Sequence, residues 1–199
     1  MPNASPLRSD AQRIVSAVAA KLISSHEVAE RFEVTSHQEG FKHGLLGPNL
    51  PEPAPPEASG ESAEDAPEAT IEDEMQDLKE ALTGDAYDRT ELPSSDPGEL
   101  VVRATPRRGA EIAGEIAGAD FVFSRTPARL LRATVHAPSL PRFAGWIMKQ
   151  TGAELAFTEI DGVPLVSEMR VRMRSRGFGR ARFDYEFVTT AEYAPLAKG

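Results

Sequence analysis

Two stripes of alternating side chains in the C-terminal third are the first candidates for chemistry. Met169, Val171 and Met173 alternate with Arg170, Arg172 and Arg174. After a reversal at Gly177–Phe178–Gly179, the residues Ala181, Phe183, Tyr185 and Phe187 alternate with Arg180, Arg182, Asp184 and Glu186. Successive side chains of a strand point to opposite faces, so this hairpin presents one apolar and one charged face. The apolar stripe has two readings: a core packed under a helix, or the lining of a cavity for an apolar ligand. Methionines suit a surface that repacks around variable chains, and each buried CH₂ contributes about 0.8 kcal/mol. Trp146 and Phe143, in a connection after Pro138 and Pro141, fit either a rim to such a cavity or anchors holding a loop to the core. The arginines suit anionic headgroups or phosphates. Single-strand binders interleave aromatics with the basic groups on one face. Here the aromatics take the other face, and Asp184 and Glu186 share the basic one, so no nucleic-acid partner is expected. Arg170, Arg172 and Arg174 remain candidates for contact with an anionic headgroup or with an acidic segment of the chain itself.

Other chemistry finds little support. The four histidines are His26, His37, His43 and His136, and the spacing of His37 and His43 matches no regular ligand geometry, so no metal is expected. No Gly-x-Ser-x-Gly elbow, phosphate-cradling loop or dinucleotide fingerprint is present. Glu72, Asp73 and Glu74 lie in a solvated acidic run, whereas general acid–base work needs a desolvated pocket. The absence of Cys excludes thiolate metal sites and a cysteine nucleophile. The expectation is a protein that is not an enzyme and holds no cofactor.

The elements that must position these stripes follow from charge and periodicity. The chain has 199 residues, a net charge of -9, 40% hydrophobic residues and 16 prolines. Residues 47–100 carry 16 acidic and 2 basic side chains and 8 of the prolines, while residues 101–199 are net +5. Low hydrophobicity, charge and proline together predict disorder over 47–69 and 84–98. Between them Ile71, Met75, Leu78 and Leu82 predict a short amphipathic helix near 70–83, with Thr70 as its cap. Within residues 1–46, Ser9 caps a first helix with Ala11, Ile14, Val15, Val18 and Leu22 on one face, and a strand begins at Phe32 and Val34. Residues 101–199 read as an antiparallel β-meander: Val101–Ala104, Ile112–Ile116, Phe121–Phe123, Ala128–Val135, Ala153–Ile160 and the Arg-striped hairpin. Asp161–Gly162 supplies a turn. The three segments are expected to build one α+β domain, an N-terminal helix on an antiparallel sheet, interrupted by an acidic, Pro-rich insert. No apolar run reaches the roughly 18–20 residues of a bilayer span, and no signal peptide is legible, so the chain as given starts as a cytoplasmic protein would. A truncated start would leave a periplasmic or cell-envelope location open.

The capped helix, the meander and the stretch Thr158–Glu159–Ile160–Asp161–Gly162–Val163–Pro164–Leu165 before an Arg-alternating strand and an aromatic return strand resemble the outer-membrane lipoprotein-sorting (LolA/LolB-like) half-barrel superfamily. The resemblance covers roughly residues 101–190, more loosely 9–44, and not the acidic insert. It implies a curved sheet closed by a helix, whose concave face shelters acyl chains. On that implication Met169, Val171, Met173, Phe183, Tyr185, Phe187 and Trp146 line a site for an apolar or lipidated ligand, bound without catalysis. The alternative is a protein-interaction or scaffold domain with a filled core, whose acidic insert binds a protein partner.

Overall fold

The computed structural model describes residues 5–44, 71–107, 118–136, 148–175 and 183–196. Among the described residues three helices, α1 (Ser9–Ala19), α2 (Ser25–Arg31) and α3 (Ile71–Thr83), accompany nine strands. The strands are β1 (Ser5–Pro6), β2 (Phe32–Gly44), β3 (Tyr87–Leu92), β4 (Glu99–Pro106), β5 (Gly118–Arg125), β6 (Ala128–His136), β7 (Met148–Ile160), β8 (Val163–Ser175) and β9 (Phe183–Pro195). They form a single open sheet in the order β1-β3-β4-β5-β6-β7-β8-β9-β2. Every neighbouring pair is antiparallel.

From β3 to β9 the chain meanders, but its beginning does not. The first strand pairs with β3 at one edge of the sheet and the second pairs with β9 at the other. The chain between them, α1 and α2, therefore passes from edge to edge. The β2 strand extends unbroken through His37–Gly44, residues that the sequence suggested as a lead into the insert; all thirteen positions find partners on β9. The Asp161–Gly162 turn between β7 and β8 has φ of 51° and 78° at its two central residues. Two positive values in succession match the right-handed twist of a tight hairpin. At Gly152 the β7–β8 register shifts, φ is 119°, and a Cβ would sit 2.3 Å from the Val135 carbonyl oxygen, so only glycine lets β7 approach β6 there.

Helix α1 buries Ala11, Ile14, Val15, Val18 and Ala19, the face its periodicity predicts. Its N-cap is Arg8, not Ser9, and no side chain caps it; Arg8 instead grips Glu91 on β3. Ser24-x-x-Glu27 forms a reciprocal capping box that starts α2, a helix whose signature the sequence carries openly. Lys79 Nζ on α3 donates to the Leu22 carbonyl between the first two helices at 3.1 Å. Arg89 on β3 donates to the Ala81 and Gly84 carbonyls, placing a cation at the C-terminal end of α3, where the helix dipole favours it.

The core lies between these helices and β3–β7. Ile14, Val15, Val18, Leu78, Ala81 and Leu82 pack with Tyr87, Leu100, Val102, Phe121, Phe123, Leu130, Ala133 and Leu155. A second cluster joins Phe32, Val163 and Leu165 with Ile23, Val28, Ile160 and Tyr193. Phe32 meets Tyr193 edge-on at 6.3 Å, and the Tyr193 hydroxyl donates to the Val166 carbonyl at 2.8 Å; burial raises that phenol above its ordinary pKa.

The expected disorder over 84–98 is corrected by this packing. Residues Tyr87–Leu92 form a strand, Asp96 and Gly98 close a turn through an Asp96 carboxylate bond, and Tyr87 is fully enclosed. A few apolar residues at the right spacing outweigh an acidic average: Asp88 stays exposed, and Glu91, on the same side of the strand as Tyr87, is matched by Arg8 and Arg125. Gly118, read as a separator, begins β5. The expectations for 47–69, Ile112–Ile116, Trp146 and the Gly177–Phe178–Gly179 reversal lie outside the described residues. Leu78→Ala and Tyr87→Ala are each expected to destabilise the protein by about 2–5 kcal/mol in urea unfolding. A cost below about 0.5 kcal/mol, typical of exposed positions, would return the acidic segment to the periphery.

Candidate ligand-binding face

Register places the apolar stripe along rows that cross four strands. Met169 lies opposite Leu155 and Thr189, while Val171 lies opposite Ala153 and Phe187, and Phe187 in turn opposite Gly40. Met173 pairs with Gln150 and Tyr185, and Phe183 with Gly44; these are positions along the backbone. Trp146 lies outside the described residues.

These positions do not share one environment. Met169 packs against the main core, so at this end the stripe is core. Val171 and Phe187 are half-buried. The Phe187 ring lies over Gly40, where a Cβ would be 3.5 Å from its Cε1. Helix α1 packs on β5 and β6 and α3 on β3, β4 and β5, whereas the Val171–Phe187–Gly40 row belongs to β8, β9 and β2. The row therefore extends the core surface beyond the strands on which α1 and α3 rest.

Alternation puts Arg170 and Arg172 on the opposite face, where carboxylates meet them. Arg170 pairs with Glu168 at 3.0 Å and Glu186 at 3.4 Å. Arg172 pairs with Glu186 at 3.4 Å and Glu154 at 3.7 Å, and Arg174 lies opposite Asp184 in register. Glu168 on the same strand and Glu154 and Glu186 on the neighbouring strands thus offset the charge of Arg170 and Arg172, and the field these two present to an outside anion is correspondingly small.

The remaining charge clusters are structural in geometry. Glu91, with its side chain 10% exposed, accepts from Arg8 at 2.7 and 3.0 Å and from Arg125 at 3.0 Å. Arg125 also reaches Asp10 at 3.2 Å and the Glu99 carbonyl. This network ties the start of α1 to β3, β4 and β5. Arg8 hydrogen bonds, opposed by partial burial and reinforced by Arg125, hold the Glu91 carboxyl below its ordinary pKa. On the other face, Asp120 accepts twice from Arg103 at 2.6 Å, with His136 Nε2 3.5 Å away. Burial pushes the Asp120 pKa up, but the hydrogen bonds and charge of Arg103, with His136 behind them, leave it lowered. A carboxylate engaged on both oxygens by one guanidinium holds charge in place. Glu159 sits between Lys21 and Arg129, each 3.6 Å away. His26 and His37 each face a glutamate, Glu30 and Glu39. Among the described residues no group of three or more His, Cys, Asp or Glu could hold a metal, and no helix is long and apolar enough to cross a membrane.

The sequence reading missed the Glu91 and Asp120 clusters because their members are separated along the chain and meet only through strand register. Compared with known proteins, the chain matches no family model, no curated protein and no solved structure.

Glu91→Gln is expected to cost about 1–3 kcal/mol, the scale of a hydrogen bond to a charged group. Because the Glu91 and Asp120 pKa values are lowered on folding, the native state binds fewer protons than the unfolded one. Their stabilisation is present above the ordinary carboxylate range and is lost as pH falls through and below it. Urea midpoints measured from neutral pH down through that range are expected to fall less steeply in Glu91→Gln than in the wild type.

Proposed function

We propose that the protein binds an apolar or lipid-bearing ligand, without catalysis, against the face shared by β8, β9 and β2. The row of half-buried Val171 and Phe187, ending at exposed Gly40, carries this reading, since it continues the packed core through Met169 beyond α1 and α3. The Phe187 ring covers Gly40, so in this reading the ring itself is part of the surface along which a chain lies. Met173, Phe183 and Tyr185 extend the row in register.

A half-barrel-like curvature is part of the proposal. Nine strands spaced about 4.8 Å apart make a flat sheet nearly 40 Å wide. At about 1.5 Å per residue α1 and α2 together span about 27 Å, and the path from β1 to β2 includes both. A curled sheet shortens that path and gives the helix-bearing side a concavity. Affinity is assigned to burial, at about 0.8 kcal/mol per CH₂. Arg170, Arg172 and Arg174 are the candidates for a headgroup, met only at a rim, because Arg170 and Arg172 lie on the opposite face and already hold carboxylates.

The second reading, a scaffold domain with a filled core and an acidic partner-binding insert, is favoured by one observation: Met169 is committed to the core. Native mass spectrometry of the full chain, before and after incubation with palmitate, separates the two. The expected result is a stoichiometric adduct, weakened about tenfold or more in Val171→Asp and Phe187→Asp with the far-ultraviolet circular dichroism unchanged. An apo mass with no uptake would support the scaffold instead.

A further inference from the structure

The two edges of the sheet are built differently. One ends in β1, two residues long and containing Pro6, a short proline-bearing strand of the kind that discourages edge-to-edge pairing. The other ends in β2, thirteen residues from Phe32 to Gly44 with no proline. Residues 33–40 of β2 are exposed, and Val34 is 47% exposed. The strand's charged residues are Glu33, Glu39 and Lys42, and among the described residues no strand pairs with its outer side.

We propose that β2 is the edge through which two copies of the chain pair antiparallel, with the two-fold axis at Gln38. The direction of the free backbone groups follows from the β2–β9 ladder. The Arg31 carbonyl accepts from Leu196 N–H at 2.9 Å, and the His37 carbonyl accepts from the Thr190 hydroxyl at 3.4 Å. Odd-numbered residues thus turn their backbone groups toward β9. Phe32 faces Pro195, which has no N–H to give, in keeping with the same phase. Val34, Ser36, Gln38, Gly40 and Lys42 therefore turn theirs outward.

A symmetric antiparallel pair joins outward residues to outward residues, which centres the axis on a residue and never between two. Charge selects among the central choices. An axis at His37 sets His37 against its own copy, and one at Glu39 sets Glu39 against itself, which is unfavourable. An axis at Gln38 sets His37 opposite Glu39 of the second copy, twice by symmetry, and Glu33 opposite position 43, a histidine. It also overlaps all thirteen residues. An imidazole carries an N–H donor in either protonation state. Within one chain His37 Nε2 already lies 3.4 Å from Glu39, with both side chains exposed, so the same groups exchange partners across the axis. The sequence after β2 is a poor occupant of this edge, because Pro48, Pro51, Pro53, Pro55 and Pro56 lack the donors a ladder needs.

Sedimentation equilibrium of the full chain tests this. The wild type is expected to dimerise. Gln38→Pro removes an N–H used only by the second copy, so it should weaken the dimer about tenfold or more while circular dichroism stays native. Glu39→Lys should weaken it as well, and His37→Glu combined with Glu39→Lys should restore it. A wild type that stays monomeric up to about 100 μM, a concentration at which even modest affinities assemble, overturns the proposal. So does a dimer indifferent to Gln38→Pro in its native fold, or one that the paired charge swap fails to rescue.

Discussion

The β2–β9 ladder is the constraint on which the rest of the architecture depends. It carries residues 32–44, close to the start of the chain, to the far edge of a sheet otherwise laid down in order from Tyr87 onward. With β1 fixed on β3, the segment between must cross the sheet, and that crossing is what brings α1 and α2 over its face. Helix α3 then wedges beside them through Leu78, Ala81 and Leu82. Long-range pairing of this kind has a high closure entropy, and the thirteen paired positions with the Phe32–Tyr193–Leu165 cluster offset it.

Electrostatics reinforce the same arrangement without filling the interior with charge. No polar or charged residue is fully buried among the described residues. Instead, partly shielded networks sit at the margins of the core: Arg8–Glu91–Arg125–Asp10 at the start of α1, Lys21–Glu159–Arg129 near its end, and Arg103–Asp120 on the outer face. The Arg170 and Arg172 stripe belongs to this class, matched by Glu168 along the strand and by Glu154 and Glu186 across strands. A stripe that looks in isolation like an anion receptor is, in the sheet, one half of a neutral surface.

Much of the sheet is legible in the sequence where alternation is strict, as along Met169–Arg174, and where a turn is chemically marked, as at Asp161–Gly162. The face of α1 follows from its 3.6 periodicity. What escapes has physical causes. The segment Tyr87–Leu92 averages as acidic and polar, yet Tyr87 alone supplies a large buried ring, and Arg89 and Glu91 serve the helix ends. His37–Gly44 has no apolar alternation, because a strand at an edge is specified by its ladder partner more than by burial. For the candidate site, the stripe residues are legible as a set. The division between Met169, committed to the core, and the Val171–Phe187 row beyond it is not, because that depends on which strands the helices cover.

The binding proposed at that row is tested most directly by nuclear magnetic resonance of methyl-labelled protein during titration with palmitate. Saturable shifts centred on the Val171 methyls, fading toward Leu100 and Val102 in the enclosed core, are the predicted result. Spectra unchanged at Val171, or shifts confined to methyls remote from β8, β9 and β2, would contradict it.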